Sequence, residues 1–242
     1  NVLVVGTEII SRFLNWEDRR TCVLFGDASG AVVLQASDEP SGVMSFVLGS
    51  DGSKSESLIV RGLGSANPAT HEVIDNHWHN IEMDGSTVAK FAMRTMAQSA
   101  AEAAAAAGLT MDDVDLLIPH QSNARLIEYA RRQLGLPPEK VFVNLDRYAN
   151  TSAAAIPIAL CEALDTGRAQ EGDTIVLVGF GGGLTWAALT LQLGVFEASS
   201  RFISVPIASM RQRVRSAAVS VSATASALLL PLFTFARNDK DE

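Results

Sequence analysis

Cysteine is scarce in this chain: only Cys22 and Cys161 occur among 242 residues. They stand far apart in apolar runs, which fits a reduced, cytoplasmic protein better than a disulfide scaffold, and they form no CxxC pair for a metal. Positive charge is also in the minority, with 19 Lys and Arg against 27 Asp and Glu and a formal net charge of −8. Phosphate neutralisation needs clustered cations, so this balance argues against a general nucleic-acid binder and leaves room only for a local basic patch facing an acidic partner. The opening Asn-Val-Leu-Val-Val-Gly has no initiator Met, no basic region and no signal-type cleavage site, and it begins inside a strand pattern. The chain therefore reads as the interior of a longer one. What is abundant is apolar material, 48% of residues, enough to bury a core in one large or two small domains.

Short β-branched or aliphatic runs alternate with helical patterns. Val2 to Val5 reads as a strand, and Thr21 to Leu34 as strand, turn, strand around Phe25 to Gly30, apolar throughout as in sheets covered on both faces. Residues 35–80 are loop-rich, with a strand at Val43 to Leu48. A helix is expected from about Ser86 to Ala107, with Val88, Phe91, Ala92, Met96 and Ala100 on one face and Gly108 as its stop. There follow a buried strand at Val114 to Ile118, a helix from Asn123 to Leu134, a strand at Val141 to Asn144, a helix from Ser152 to Thr166, and strands at Thr174 to Val178 and Leu184 to Leu193. This order predicts a layered α/β sheet.

Three segments place reactive side chains at strand ends, where ligands gather in open α/β sheets. His120 directly follows Val-Asp-Leu-Leu-Ile-Pro and can give or take a proton near neutral pH. Asn150 offers a neutral amide donor, although it could serve only as a helix N-cap. Gly181 to Gly183 let the backbone approach a ligand and aim N–H groups at a developing oxyanion, or simply form a tight turn. His71, His77 and His79 have a spacing that zinc could use, but no cysteine and no clear pattern of residues to orient the imidazoles accompanies them, so no metal site is expected. Asp112, Asp113 and Asp115 read as a helix-to-strand connection.

Four segments, in this order, resemble the β-ketoacyl-[acyl carrier protein] synthase III family: Cys22-Val-Leu-Phe-Gly-Asp-Ala-Ser-Gly-Ala31, Leu116-Leu-Ile-Pro-His-Gln-Ser-Asn-Ala-Arg125, Asn144-Leu-Asp-Arg-Tyr-Ala-Asn-Thr-Ser-Ala-Ala-Ala155 and Gly179-Phe-Gly-Gly-Gly-Leu-Thr-Trp186. The likeness runs from residue 1 to about 193. It implies a thiolase-like α-β-α-β-α fold, with residues 1–40 closing the first half and 41–193 forming the second. It further implies that His120 and Asn150 are catalytic, hydrogen-bonding the malonyl thioester carbonyl during decarboxylative condensation with an acyl-CoA starter. Phe180 would border the acyl pocket, Gly182 would supply an oxyanion-hole amide, Asn123 would lie near the phosphopantetheine arm, and Arg125 would meet the acidic acyl carrier protein. No metal or other cofactor is implied, and the family's enzymes are cytoplasmic homodimers. Ala149 departs from a position where Gly is common in the family.

The family's nucleophile, a Cys in a small-residue turn, has no counterpart here. Cys22 and Cys161 read as core residues, so an N-terminal portion carrying the nucleophile is expected to be missing, and no condensation is expected of this chain alone. A non-catalytic partner subunit, or a related polyketide or quinolone condensing enzyme, are the alternatives. Residues 194–242 read as an atypical, poorly ordered extension; the uncharged stretch 216–236 is long enough to span a bilayer, but its Ser, Thr and Pro231 make it a poor spanning helix.

Overall fold

Leu116 to Ile118 and Ile175 to Val178 carry no polar side chain on either face, so each strand needs cover on both sides. The computed structural model, which describes residues 1–38 and 41–194, supplies it with helices. In chain order the elements are β1 (Val2–Glu8), β2 (Ala28–Leu34), β3 (Gly42–Ser50), β4 (Leu58–Val60), the short α1 (His71–Asp75), β5 (Ile81–Met83), α2 (Gly85–Ala106), β6 (Leu116–Pro119), α3 (Ala124–Gln133), the single turn α4 (Leu145–Tyr148), α5 (Ala155–Asp165), β7 (Thr174–Gly181) and β8 (Thr185–Gln192). The main sheet has the order β3-β8-β7-β6, with β6 parallel to β7 and the other pairs antiparallel.

Alternate residues sort to opposite faces, as the period of two requires. Leu117, Val176 and Val178 meet Met96, Ala100 and Ala103 of α2 and Ile127 of α3. Leu116, Ile118 and Ile175 look the other way, onto Ala159, Leu160 and Ala163 of α5. Capping fixes where the outer helices begin: Asp84 accepts from the Ser86 and Thr87 amides ahead of α2, and Asn123 accepts from the Arg125 amide ahead of α3.

β1 and β2 form a separate antiparallel ribbon, in register from Val2 opposite Leu34 to Glu8 opposite Ala28. Its β2 strand backs onto α5, so closely that a Cβ on Gly30 would lie 3.0 Å from the Pro157 Cβ. Helix α5 is thus enclosed between ribbon and sheet. The outer surface of the ribbon is uncovered, with Leu3 65% and Val33 64% exposed, and on β3 the same holds for Leu48 at 71%.

The structure corrects several expectations. Residues 21–25 are not a strand, because Asp18 gathers the chain into turns: its carbonyl accepts from the Thr21 and Cys22 amides and its carboxylate from the Arg20 amide. Cys22 is therefore half-buried in a turn, and Cys161 half-buried on α5, neither being a core residue. Val141 to Asn144 keeps a single bridge, Val141 to Leu117, since the Asn144 carbonyl turns to accept from the Arg147 and Tyr148 amides of α4. The helix expected from Ser152 starts as one 3-10 turn, Ser152–Ala154, before α5. β7 extends through Gly179, Phe180 and Gly181, so Gly181, expected in a tight turn, belongs to a strand end. The extension, from residue 195 on, lies outside the described residues. Among the described residues no helix is long and apolar enough to cross a membrane.

Candidate active site

His120 leaves the end of β6 with its own amide still on the ladder, donating to the Val178 carbonyl at 2.8 Å. Its side chain is buried and stands edge-on against Phe180, with ring centroids 5.1 Å apart and planes at 88°. Phe180 is braced in turn by Phe91 at 6.2 Å. Burial, which disfavours the imidazolium, pushes the pKa of His120 from 6.5 down to about 4. At pH 7 the ring is neutral, with one N–H to donate and one lone pair to accept.

Asn150 arrives from the other direction, in the turn after α4. Its backbone is bonded on both sides to the first segment of the chain: the Asn150 amide donates to the Leu24 carbonyl at 3.0 Å, and its carbonyl accepts from the Gly26 amide at 2.9 Å. The side-chain oxygen accepts from the Ser152 amide at 3.0 Å. This is a local turn bond and not a helix cap, since Thr151 precedes the 3-10 turn and Ala154 precedes α5, neither with a side-chain cap bond; it leaves the Asn150 Nδ2–H groups as donors. On either side the backbone is strained: Ala149 has φ +58° and ψ −163°, and Ser152 has φ +50°. The Ala149 conformation is one that glycine occupies almost alone.

Both side chains open onto one cavity of about 450 Å³, which Phe180, Gly182 and Asn123 also line. Gly182 lies against β4, where a Cβ would come within 2.9 Å of the Leu58 carbonyl oxygen. Two hydroxyls beside the pair, Ser122 Oγ and Thr151 Oγ1, are buried without a hydrogen bond among the described residues. Sequence reasoning missed the apolar walls, Phe25, Leu58, Ile81 and Met83. Phe25 stood inside a segment that carries the family resemblance, whereas Leu58, Ile81 and Met83 offered only scattered apolar character with no period to expose it.

Arg125 stands apart from the other predicted site residues. It is exposed on α3 and does not line the cavity. On the same helix Arg131 and Arg132 both pair with Glu128, at 2.7 and 2.6 Å, and hold its carboxyl down to about 2. Arg125 makes no ion pair among the described residues. The rings of His77 and His79 lie 6.0 Å apart; among the described residues no three His, Cys, Asp or Glu side chains are disposed to hold a metal ion.

Two family models match this chain: 3-oxoacyl-[acyl-carrier-protein (ACP)] synthase III over residues 1–52, and the 3-oxoacyl-[acyl-carrier-protein (ACP)] synthase III C-terminal model over residues 104–193. The chain is 51% identical over 192 residues to the beta-ketoacyl-[acyl-carrier-protein] synthase III of Symbiobacterium thermophilum, and 52% identical over 192 residues to that of Roseiflexus castenholzii. Each alignment covers 79% of this chain and 58% of the relative, so the chain spans less than two thirds of the length of these proteins. The crystal structure of the synthase III from Thermus thermophilus superposes with a TM-score of 0.72 at 46% identity, covering 79% of this chain and 59% of that one. The layering of ribbon, helix, sheet and helix is accordingly part of the thiolase-like fold expected from the sequence. The chain belongs to the 3-oxoacyl-[acyl-carrier-protein] synthase III family.

Proposed function

We propose that this chain carries the decarboxylation and condensation residues of a β-ketoacyl-[acyl carrier protein] synthase III. The observation that carries the reading is that His120 and Asn150, from two unrelated loops, present a neutral imidazole and an amide donor to the same cavity. When a malonyl thioester sits there, the bond from Cα to the carboxylate breaks and carbon dioxide leaves. The electron pair moves toward the thioester carbonyl, whose oxygen becomes an enolate oxygen, and the two N–H donors hold that oxygen. Removing one such donor costs on the order of 100- to 1000-fold in rate. The enolate carbon then bonds to an acyl thioester carbonyl, and the acyl carbon–sulfur bond breaks with sulfur leaving as thiolate. The Gly182 amide serves as an oxyanion donor and Phe180 as a wall of the acyl pocket.

The acyl group must ride on a cysteine thiolate. Neither Cys22 nor Cys161 lines the cavity, and burial raises the Cys161 thiol, away from the thiolate form. The chain by itself therefore takes no acyl group from acetyl-CoA. The substrates of the whole enzyme are thioesters of coenzyme A and of acyl carrier protein, and this chemistry calls for no metal or redox cofactor. Asn123 stands on the path of the pantetheine arm, and Arg125 meets the acidic carrier protein. Residues 1–40 close the first half of the fold and 41–193 form the second, in an enzyme that is a cytoplasmic homodimer. The test is conversion of malonyl-CoA to acetyl-CoA by the chain, which should be slow and should fall at least about 100-fold in His120→Ala or Asn150→Ala. A rate unchanged by either substitution defeats the reading.

A further inference from the structure

Behind the two donors lies a second set of polar groups that does not line their cavity. Gln121, the residue after His120, is 1% exposed, yet three of its hydrogen-bonding positions are filled. Its amide nitrogen donates to the Pro119 carbonyl at 2.8 Å and to the Phe142 carbonyl at 3.1 Å, and its oxygen accepts from the Asn144 amide at 3.1 Å. Asn144, also 1% exposed, donates from Nδ2 to Glu162 on α5 at 2.9 Å. Glu162 pairs with Arg147 of α4. The Asn144 carbonyl starts α4 by accepting from the Arg147 and Tyr148 amides, and α4 delivers Asn150 two residues later.

A core selected only for stability has no need of this chain, because well-packed apolar residues replace buried polar groups at little or no cost. What hydrogen bonds add is direction and register. Gln121 is bonded to the end of the strand that carries His120 and to the segment that leads to Asn150. The segment from Val141 to Asn144 meets β6 through one bridge, Val141 to Leu117, with the Phe142 amide donating to the Leu117 carbonyl at 2.9 Å, and among the described residues no strand continues beyond it. Beyond the Phe142 amide on the Leu117 carbonyl and the clamp of Leu24 and Gly26 on Asn150, Gln121 is the side chain that bonds the His120 loop directly to the segment leading into α4.

We propose that Gln121 and Asn144 are positioning residues, a buried hydrogen-bonded link that fixes the Asn150 carboxamide relative to the His120 imidazole. The proposal rests on the reading of those two residues given above. Neither Gln121 nor Asn144 touches substrate in this account; they act by holding the pair that does.

The test uses the full chain, with the side-chain amides of asparagine and the rings of histidine observed by nitrogen-15 NMR. In Gln121→Leu the signals of Asn150 and His120 should both be displaced, while those of Asn67, tied to the Arg61 carbonyl, stay in place. Decarboxylation of malonyl-CoA should fall on the order of 100-fold, the loss that a displacement near 1 Å brings. A folded Gln121→Leu protein with both signals unmoved overturns the proposal, however much its melting temperature drops. Should that variant not fold, Asn144→Ala decides. It cuts the link to Glu162 but keeps the backbone bond to Gln121, so Asn150 should move and His120 should not; an unmoved Asn150 overturns the proposal. Displaced signals in a protein whose wild type decarboxylates nothing support the link and refute the catalytic reading instead.

Discussion

His120 and Asn150 reach the same cavity by opposite means. His120 is the continuation of a strand whose four residues are all buried, in ordinary backbone geometry and still on the ladder of the main sheet. Asn150 sits between two residues at positive φ and is held in place by Leu24 and Gly26, more than a hundred residues earlier in the chain. One donor is fixed by the core. The other is fixed by a clamp, and its strain is tolerated because the surroundings over-determine it. The difference implies that the imidazole tolerates changes in the first 34 residues, whereas the carboxamide does not.

The largest effect should come from acid. The pKa of His120 is about 4 in the fold against 6.5 for the free side chain, so between those values the unfolded chain binds a proton that the native state refuses. The stability that this contributes is complete above pH 6.5 and is lost as pH falls toward 4, about 3 kcal/mol in all. Urea unfolding at pH 7 and pH 4.5 should show it in the wild type, and His120→Gln should lose that part of the pH dependence. An identical slope in the two proteins contradicts the core-held, neutral imidazole.

Next comes the clamp. A Cβ on Gly26 would lie 2.6 Å from the Tyr148 carbonyl oxygen, so Gly26→Ala should cost about 2 kcal/mol by overpacking. It should also displace the NMR signal of Asn150 while leaving that of His120 where it was. Equal displacement of both would erase the distinction between the two loops. The smallest effect should be a gain: Ala149→Gly relieves the backbone at φ +58° and should stabilise the fold by about 1 kcal/mol. A thermal melt that shows a loss would place the strain elsewhere.

Much of this was legible beforehand, for identifiable reasons. The helices at Gly85–Ala106 and Ala124–Gln133 and the strands at Thr174–Gly181 and Thr185–Gln192 have strong periods or capping residues, and His120 follows an apolar run too short for anything but a strand. Phe180, Gly182 and Asn123 were found through the family resemblance and do line the cavity with the pair. Hidden from the sequence were features that depend on partners distant along it. Thr21 to Phe25 is as apolar as a strand, but Asp18 competes for its amides. Asn144 looked like a strand end, whereas its bonds to Gln121 and Glu162 make it the start of a turn. The strain at Ala149 was visible only as an unusual residue where glycine is common.

The central claim is that the two donors hold one oxygen, and a double-mutant cycle on malonyl-CoA decarboxylation tests it most directly. Groups that act as a unit are strongly non-additive, so His120→Ala/Asn150→Ala should be scarcely slower than either single variant. Losses that multiply, each substitution exacting its full factor in the presence of the other, would mean that the two side chains act on different atoms.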